Sequence, residues 1–498
     1  MSFNLNSSLS LSGLLAALRV QGRENLSWML ILAAIFIACV FAMGGSSRSE
    51  VASLQVLRPL SIVALGLALM SLRLAHIRNF AVPLALAIAA VLLAALQLIP
   101  LPPGVAGSLA GRGLLAEVDV LAGLGPVWRP MAMSEAATLN ALGALLVPLS
   151  MFLIGIQLAA RDQARLLVVI LAAGGVTALI ALMQTIGDPQ GSLYLYDTTN
   201  FGSAVGLFAN RNHQAALLAC LIPLMFAAVR LHAAGAGPAK PTARKLAPRM
   251  IAAIAATAFI VPLMLITGSR SGLLMGIAAL ASLIILLPRA SKPAGDGKLW
   301  ASRRFQLWAG AAGLVALTLL AVWLQRALAI DRLLDRDRAE DMRTLILPTM
   351  FDMIWLHQPW GVGFGAFKEV YKVSEPAHLL MAPHMNQSHN DWLDLALTGG
   401  ALAITAAAAA LGTGLWRTAK IFNGNPPDQY DAIRKGALIV LLILAGASLS
   451  DYPLRTPAMA CLFALAAVWA AMPFAPSATE GSHATGSLNR LDLDRQGN

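Results

Sequence analysis

Hydrophobic runs of about twenty residues recur along this chain, and that recurrence constrains the fold more than any other feature. Coiled as an α-helix, a run of this length matches the roughly 30 Å hydrocarbon thickness of a bilayer. The runs lack the residue-by-residue alternation that a membrane β-barrel requires. Composition agrees, because 58% of residues are hydrophobic and only 12% charged, whereas soluble domains carry about 25% charged residues. The chain is therefore expected to be an all-α polytopic membrane protein.

The length criterion gives about 12 spans, near 27–45, 51–72, 80–101, 136–159, 165–186, 212–231, 250–267, 271–288, 306–325, 391–415, 436–450 and 456–473. The implied organisation is an N-terminal segment at 1–26, nine spans within 27–325, one large polar loop at 326–390, three spans within 391–475 and a disordered tail at 476–498. The first apolar run is long enough to span and is not followed by a cleavage site, so it is read as a membrane helix. Residues Leu9 to Val20 pattern as a short amphipathic helix on the inner surface.

Lysine and arginine in the short loops set the orientation. One side holds Arg19, Arg23, Arg73, Arg78, Arg161, Arg165, the basic loops 230–249 and 289–304, Arg417, Lys420, Arg434 and Lys435. The other holds only Arg48, Arg58, Arg112, Arg129, Arg211, Arg270 and Arg455 in its short loops, a bias of about threefold. Both termini are then cytoplasmic and the large loop is outside. Arg211, Arg270, Arg455 and His389 fall on that outer face, against the general trend for positive charge. An anionic ligand is the simplest reason.

Four stretches can carry chemistry. Asn210-Arg211-Asn212-His213 opens a span, and a polar set at a helix N-terminus suits phosphate; the alternative is an interfacial turn with a snorkelling arginine. Thr267-Gly268-Ser269-Arg270-Ser271-Gly272 joins two spans too tightly for a free loop, pinning Arg270 near the surface. Asp451-Tyr452-Pro453-Leu454-Arg455 joins the last two spans likewise, with an Asp451–Arg455 ion pair as the plain alternative. Gln387-Ser388-His389-Asn390-Asp391-Trp392-Leu393-Asp394 stands where the large loop enters an alanine-rich run. There His389 can act as a proton acceptor, oriented by Asp391 or Asp394; otherwise Asn390 or Asp391 simply caps the helix.

The loop itself offers less. From Asp341 to Trp360 the apolar positions, Met342 to Trp355, pattern as a helix lying along the membrane and bent at Pro348. Gly361-Val362-Gly363-Phe364-Gly365 is read as a tight connection, since no strand–helix unit surrounds it. No pair of histidines has the spacing of metal ligands, and Cys39, Cys220 and Cys461 all lie in apolar runs. Neither a metal nor a cofactor is expected.

Taken in order, these motifs, with Arg343 and Pro359-Trp-Gly-Val-Gly-Phe-Gly in the loop, resemble the O-antigen ligase and polymerase family of bacterial surface-polysaccharide assembly. The resemblance covers roughly residues 130–475. It departs at Thr398, where the family commonly has a glutamate. The resemblance implies a GT-C-like membrane glycosyltransferase of the bacterial inner membrane with its active site in the periplasm. Its donor would be a glycan on undecaprenyl diphosphate, its acceptor lipid A–core or another glycan, and its partners would include membrane lipids but no nucleic acid. Protein glycosylation is the remaining branch, and a transporter the competing class. On this reading His389, Arg270 and Arg211 are catalytic. Asn210, Asn212, Arg343, Asn390, Asp391, Asp451 and Arg455 bind substrate.

Overall fold

The structure, a computed structural model, describes residues 26–234, 243–286, 344–380, 385–423 and 428–474. Among these residues the chain is mostly helical, with a single two-stranded pairing of β1 (Pro100–Leu101) antiparallel to β2 (Arg129–Pro130). The first part runs through α1 (Trp28–Met43), α2 (Leu54–Ser71), α3 (Leu74–Asn79), α4 (Ala81–Leu96), α5 (Pro103–Ser108), α6 (Gly113–Leu121), α7 (Glu135–Ala144), α8 (Leu146–Gly155), α9 (Ala160–Ile186), α10 (Arg211–Ala234), α11 (Ala243–Ile266) and α12 (Arg270–Leu286). The second holds α13 (Leu347–His357), α14 (Phe367–Ser374), α15 (Asp391–Asn423), α16 (Asp431–Ala447) and α17 (Pro457–Ala471).

Among the described residues, six segments are long and apolar enough to cross a membrane: Leu54–Ser71, Glu135–Gly155, Ala160–Ile186, Arg211–Leu231, Pro248–Ile266 and Asp391–Asn423. This is a membrane protein. Helices α1, α4, α12 and α17 are apolar as well but shorter, with 15 to 17 described residues each. The run at 306–325, the N-terminal amphipathic stretch, Arg343 and the tail lie outside the described residues.

Burial sorts the helices into centre and rim. Of the α10 span 83% is buried, against 22–28% for the spans of α2, α11 and α15. Small residues make the central packing possible. Gly272 of α12 meets Ala215, Gly436 of α16 meets Ala227, and Gly174 of α9 meets Leu221, so three helices approach α10 closely. Helix α17 is buried on nearly all sides, and its Trp469 indole N–H donates to Gln163 of α9 at 2.9 Å.

A second, smaller core lies outside the bundle. Ile346, Met350 and Met353 pack with Phe367, Val370 and Tyr371 over Leu397 of α15. Pro348 sits in the first turn of α13, where its missing N–H leaves nothing unsatisfied, so it starts the helix rather than bending it. The outward face of α13 leaves Phe351 and Trp355 exposed, as expected of a helix at a membrane surface.

Helix α15 is not continuous. At Gly400 the backbone takes φ 60° and ψ −158°, a conformation essentially confined to glycine. The carbonyls released there are taken up by the glycine loop. Val362 N–H donates to Leu397 O and Gly363 N–H to Thr398 O, both at 3.0 Å, while Ala401 N–H donates to Pro359 O at 2.9 Å. A Cβ on Gly400 would lie 2.2 Å from that Pro359 oxygen. The glycine alternation is thus more than a connection. Gly361, Gly363 and Gly365 all have positive φ; the first two fill a break in a membrane helix, and Gly365 packs against Ala137.

Candidate functional site

Helices α10, α12, α15 and α17 all begin at one end of the bundle, and α16 finishes there. Asp391 N–H donates to Ser448 O at 2.9 Å, and the Trp392 indole donates to Ala445 O at 3.0 Å. These bonds tie the start of α15 to the end of α16. His213 Nδ1 and Thr456 Oγ1 lie 2.8 Å apart, tying α10 to the entry of α17. The Gly272–Ala215 contact sets α12 beside the first turns of α10.

Two arginines occupy equivalent positions at these starts. Asn210 Oδ1 accepts the N–H of Asn212 at 2.8 Å, and Ser269 Oγ accepts that of Gly272 at 2.9 Å. Each is a helix N-cap of the ordinary kind. Arg211 and Arg270 follow as the first helical residues. The positive end of the helix dipole disfavours a cation there by about 0.3–1 kcal/mol, so local helix energetics do not explain either arginine. Both are partly exposed.

His389 stands at the third start. It is the only non-glycine described residue with positive φ, at 53°, which costs about 1–2 kcal/mol. Its neighbours hold it there. Ser388 Oγ donates to Asp394 at 3.1 Å, and Asn390 Oδ1 accepts the N–H groups of Trp392 and Leu393 at 3.0 Å, capping α15. The cap and the histidine therefore coexist, whereas the sequence set them as alternatives.

The carboxylate facing His389 comes from neither residue on its own helix. Asp451 Oδ1 lies 3.1 Å from His389 Nδ1. On the other side, Asp451 Oδ2 accepts the side-chain amides of Asn210 at 3.1 Å and Asn212 at 2.7 Å, with His213 Nε2 at 3.9 Å. The Tyr452 ring packs between the two imidazoles, 4.9 Å from His389 and 5.3 Å from His213. The Asp451 side chain is 3% exposed and that of His389 17%. With the carboxylate accepting from Nδ1–H, Nε2 becomes the acceptor nitrogen. That arrangement is one a general base needs.

Arg455 takes the partners that the sequence offered to His389. Its Nε donates to Asp391 Oδ1 at 3.0 Å, its Nη2 pairs with Asp394 Oδ1 at 2.6 Å, and its Nη1 donates to Gln387 Oε1 at 2.6 Å. Burial by itself would lower the guanidinium pKa, but Asp394 and Asp391 outweigh it and raise the value. The Asp451–Arg455 pair suggested by their spacing does not appear among the ion pairs. Arg455 instead bridges two carboxylates and locks the loop, with each of its three guanidinium nitrogens engaged.

Several supporting residues were not singled out from the sequence. Gln184 Oε1 accepts the N–H groups of Val205 and Gly206 at 3.0 and 2.7 Å, and Thr177 Oγ1 accepts that of Leu207 at 2.8 Å. Together they clamp the segment leading into Asn210. Gln97 donates to Thr398 O and accepts from Phe364 N–H, both at 2.9 Å, stitching the glycine loop to α4. A lone amide or hydroxyl inside an apolar run was the available signal. Thr398, at the departure from the family pattern, is buried and bonds back to Asp394 O at 2.7 Å.

Residues 252–408 match the family model of the O-antigen ligases. The match to the O-antigen ligases spans 157 of the 498 residues. The matched stretch includes the Arg270 turn, the glycine loop, His389 and the break at Gly400, while the Asn210 and Asp451 motifs lie to either side of it. No curated protein matches the chain. The O-antigen ligase match supports a membrane glycosyltransferase of the ligase or polymerase type.

Proposed function

We propose that this protein transfers a glycan from undecaprenyl diphosphate to lipid A–core at the periplasmic face of the bacterial inner membrane. The observation that carries the reading is the pairing of His389 with Asp451 beside two helix starts that each present an arginine. The acceptor hydroxyl oxygen attacks the anomeric carbon, and His389 Nε2 takes its proton. The bond from that carbon to the diphosphate oxygen breaks, and the electron pair leaves with the diphosphate. This leaving group is already a stable anion, so it calls for positive charge more than for an acid. Arg211 and Arg270 supply that charge. Arg343 is assigned with them on sequence grounds. Arg455 is assigned to holding Asp391 and Asp394, and Asn390 to the cap of α15.

The orientation follows the basic residues. Arg417 and Arg434 cluster around Phe474 and the carbonyls at the end of α17, opposite the His389 mouth. Positive residues mark the cytoplasmic side. The twelve-span arrangement with cytoplasmic termini and a GT-C-like plan belongs to the same proposal, as does chemistry without metal.

The test is transfer by purified protein from a lipid-diphosphate glycan to lipid A–core, with and without a chelator. His389→Ala and Arg270→Ala should each lower kcat at least about a hundredfold, and the chelator should change nothing. Full activity in the His389 variant would remove the base. Extension of the donor's own glycan, with no product on lipid A–core, would make the enzyme a polymerase.

A further inference from the structure

Asp451 connects two motifs that are 177 residues apart in the chain, at Asn212 and His389, and its contacts are divided between its two oxygens. One oxygen faces His389. The other receives both amides of the Asn-Arg-Asn triplet, at 3.1 and 2.7 Å, in a setting almost sealed from solvent. A primary amide N–H can only donate, so this oxygen is satisfied and the plane of the carboxylate is set by two directions at once.

We infer that Asn210 and Asn212 are positioning residues for the base: by holding one oxygen of Asp451, they aim the other at His389 Nδ1 and thereby select the tautomer whose Nε2 accepts a proton. The inference rests on the role given to His389 above, and it moves the two asparagines from substrate binding to the support of the base. It also gives the triplet a coupled design. The residues that aim Asp451 flank Arg211 directly, and the backbone of that arginine is held in turn by Asn200, whose Oδ1 accepts Arg211 N–H at 3.0 Å. One helix start therefore sets both the direction of the base and the root of an anion-holding arginine.

The test separates tautomer from turnover. Protein containing ¹⁵N-histidine is examined in lipid bilayers by solid-state NMR, and the His389 signals are those lost in His389→Gln. The parent should show the Nδ1–H tautomer. Asn210→Ala, Asn212→Ala and the double variant should show a growing Nε2–H signal. In the transfer assay kcat should fall about tenfold to a hundredfold for each lost donor, with KM for the lipid-linked donor unchanged. Should Asn212→Ala fail to fold, Asn212→Ser keeps a donor there and should show a smaller shift of the same sign. Nε2–H in the parent, or unchanged His389 signals in a folded double variant, overturns the inference. Absence of any transfer by the parent would defeat the proposed function alone, because the tautomer would still report on the clamp.

Discussion

Replacing Asp451 by asparagine changes one oxygen into an NH2 group and nothing else in shape, so the outcome can be worked from the surrounding donors. If the new amide keeps its oxygen toward Asn210 and Asn212, both of those bonds survive. Its NH2 then faces His389 Nδ1, which must become an acceptor. The ring proton moves to Nε2, and the base is lost. In the opposite orientation the NH2 group meets two amide donors. Two hydrogen bonds worth about 0.5–1.5 kcal/mol each disappear, and buried donors are left unpaired. The first orientation is thus favoured by roughly 2 kcal/mol or more, a ratio of about thirty to one. The productive tautomer survives in at most a few per cent of molecules, so kcat should fall between about thirtyfold and 10⁴-fold. The upper figure is the loss seen when the corresponding aspartate of a Ser-His-Asp triad is made asparagine. KM for the lipid-linked donor should hold. The assay is single-turnover transfer with donor in excess. A folded Asp451→Asn protein with kcat within about threefold of the parent would refute the assignment.

Two other predictions concern the fold. Gly400→Ala sets a Cβ 2.2 Å from Pro359 O at φ 60°, so it should lower stability by at least about 1–3 kcal/mol, read as a lower thermal unfolding temperature in detergent with the glycine loop more open to proteolysis. His357 is buried beside Arg112, and neither ring nitrogen has a hydrogen-bond partner among the described residues. Burial first, and the Arg112 charge second, lower its pKa from the usual 6.5. Because the folded value lies below the unfolded one, this contribution to stability is present above about pH 6.5 and lost as pH falls through the folded value. The unfolding temperature should therefore drop on acidification, with a slope of up to about 1.4 kcal/mol per pH unit from this group. His357→Phe should flatten that part of the profile.

What the sequence determined by itself is local. Hydrophobicity adds residue by residue, so apolar length identified membrane helices, and cap chemistry at Asn210, Ser269 and Asn390 follows from the same short-range rules. The order of turns along alternating helices also placed the Asn210, Arg270, His389 and Asp451 motifs at one end of the bundle, where the structure has them. Partner choice was not local. His389 has two carboxylates within five residues of it, yet it meets Asp451, 62 positions away, because α15 docks its first turn against the end of α16. Arg455 then takes Asp391 and Asp394. The break at Gly400 was hidden for the same reason. Thr-Gly-Gly inside an apolar run reads as helix until another segment arrives to satisfy the freed carbonyls. Pairings between distant segments depend on which surfaces pack, and only the tertiary structure decides that.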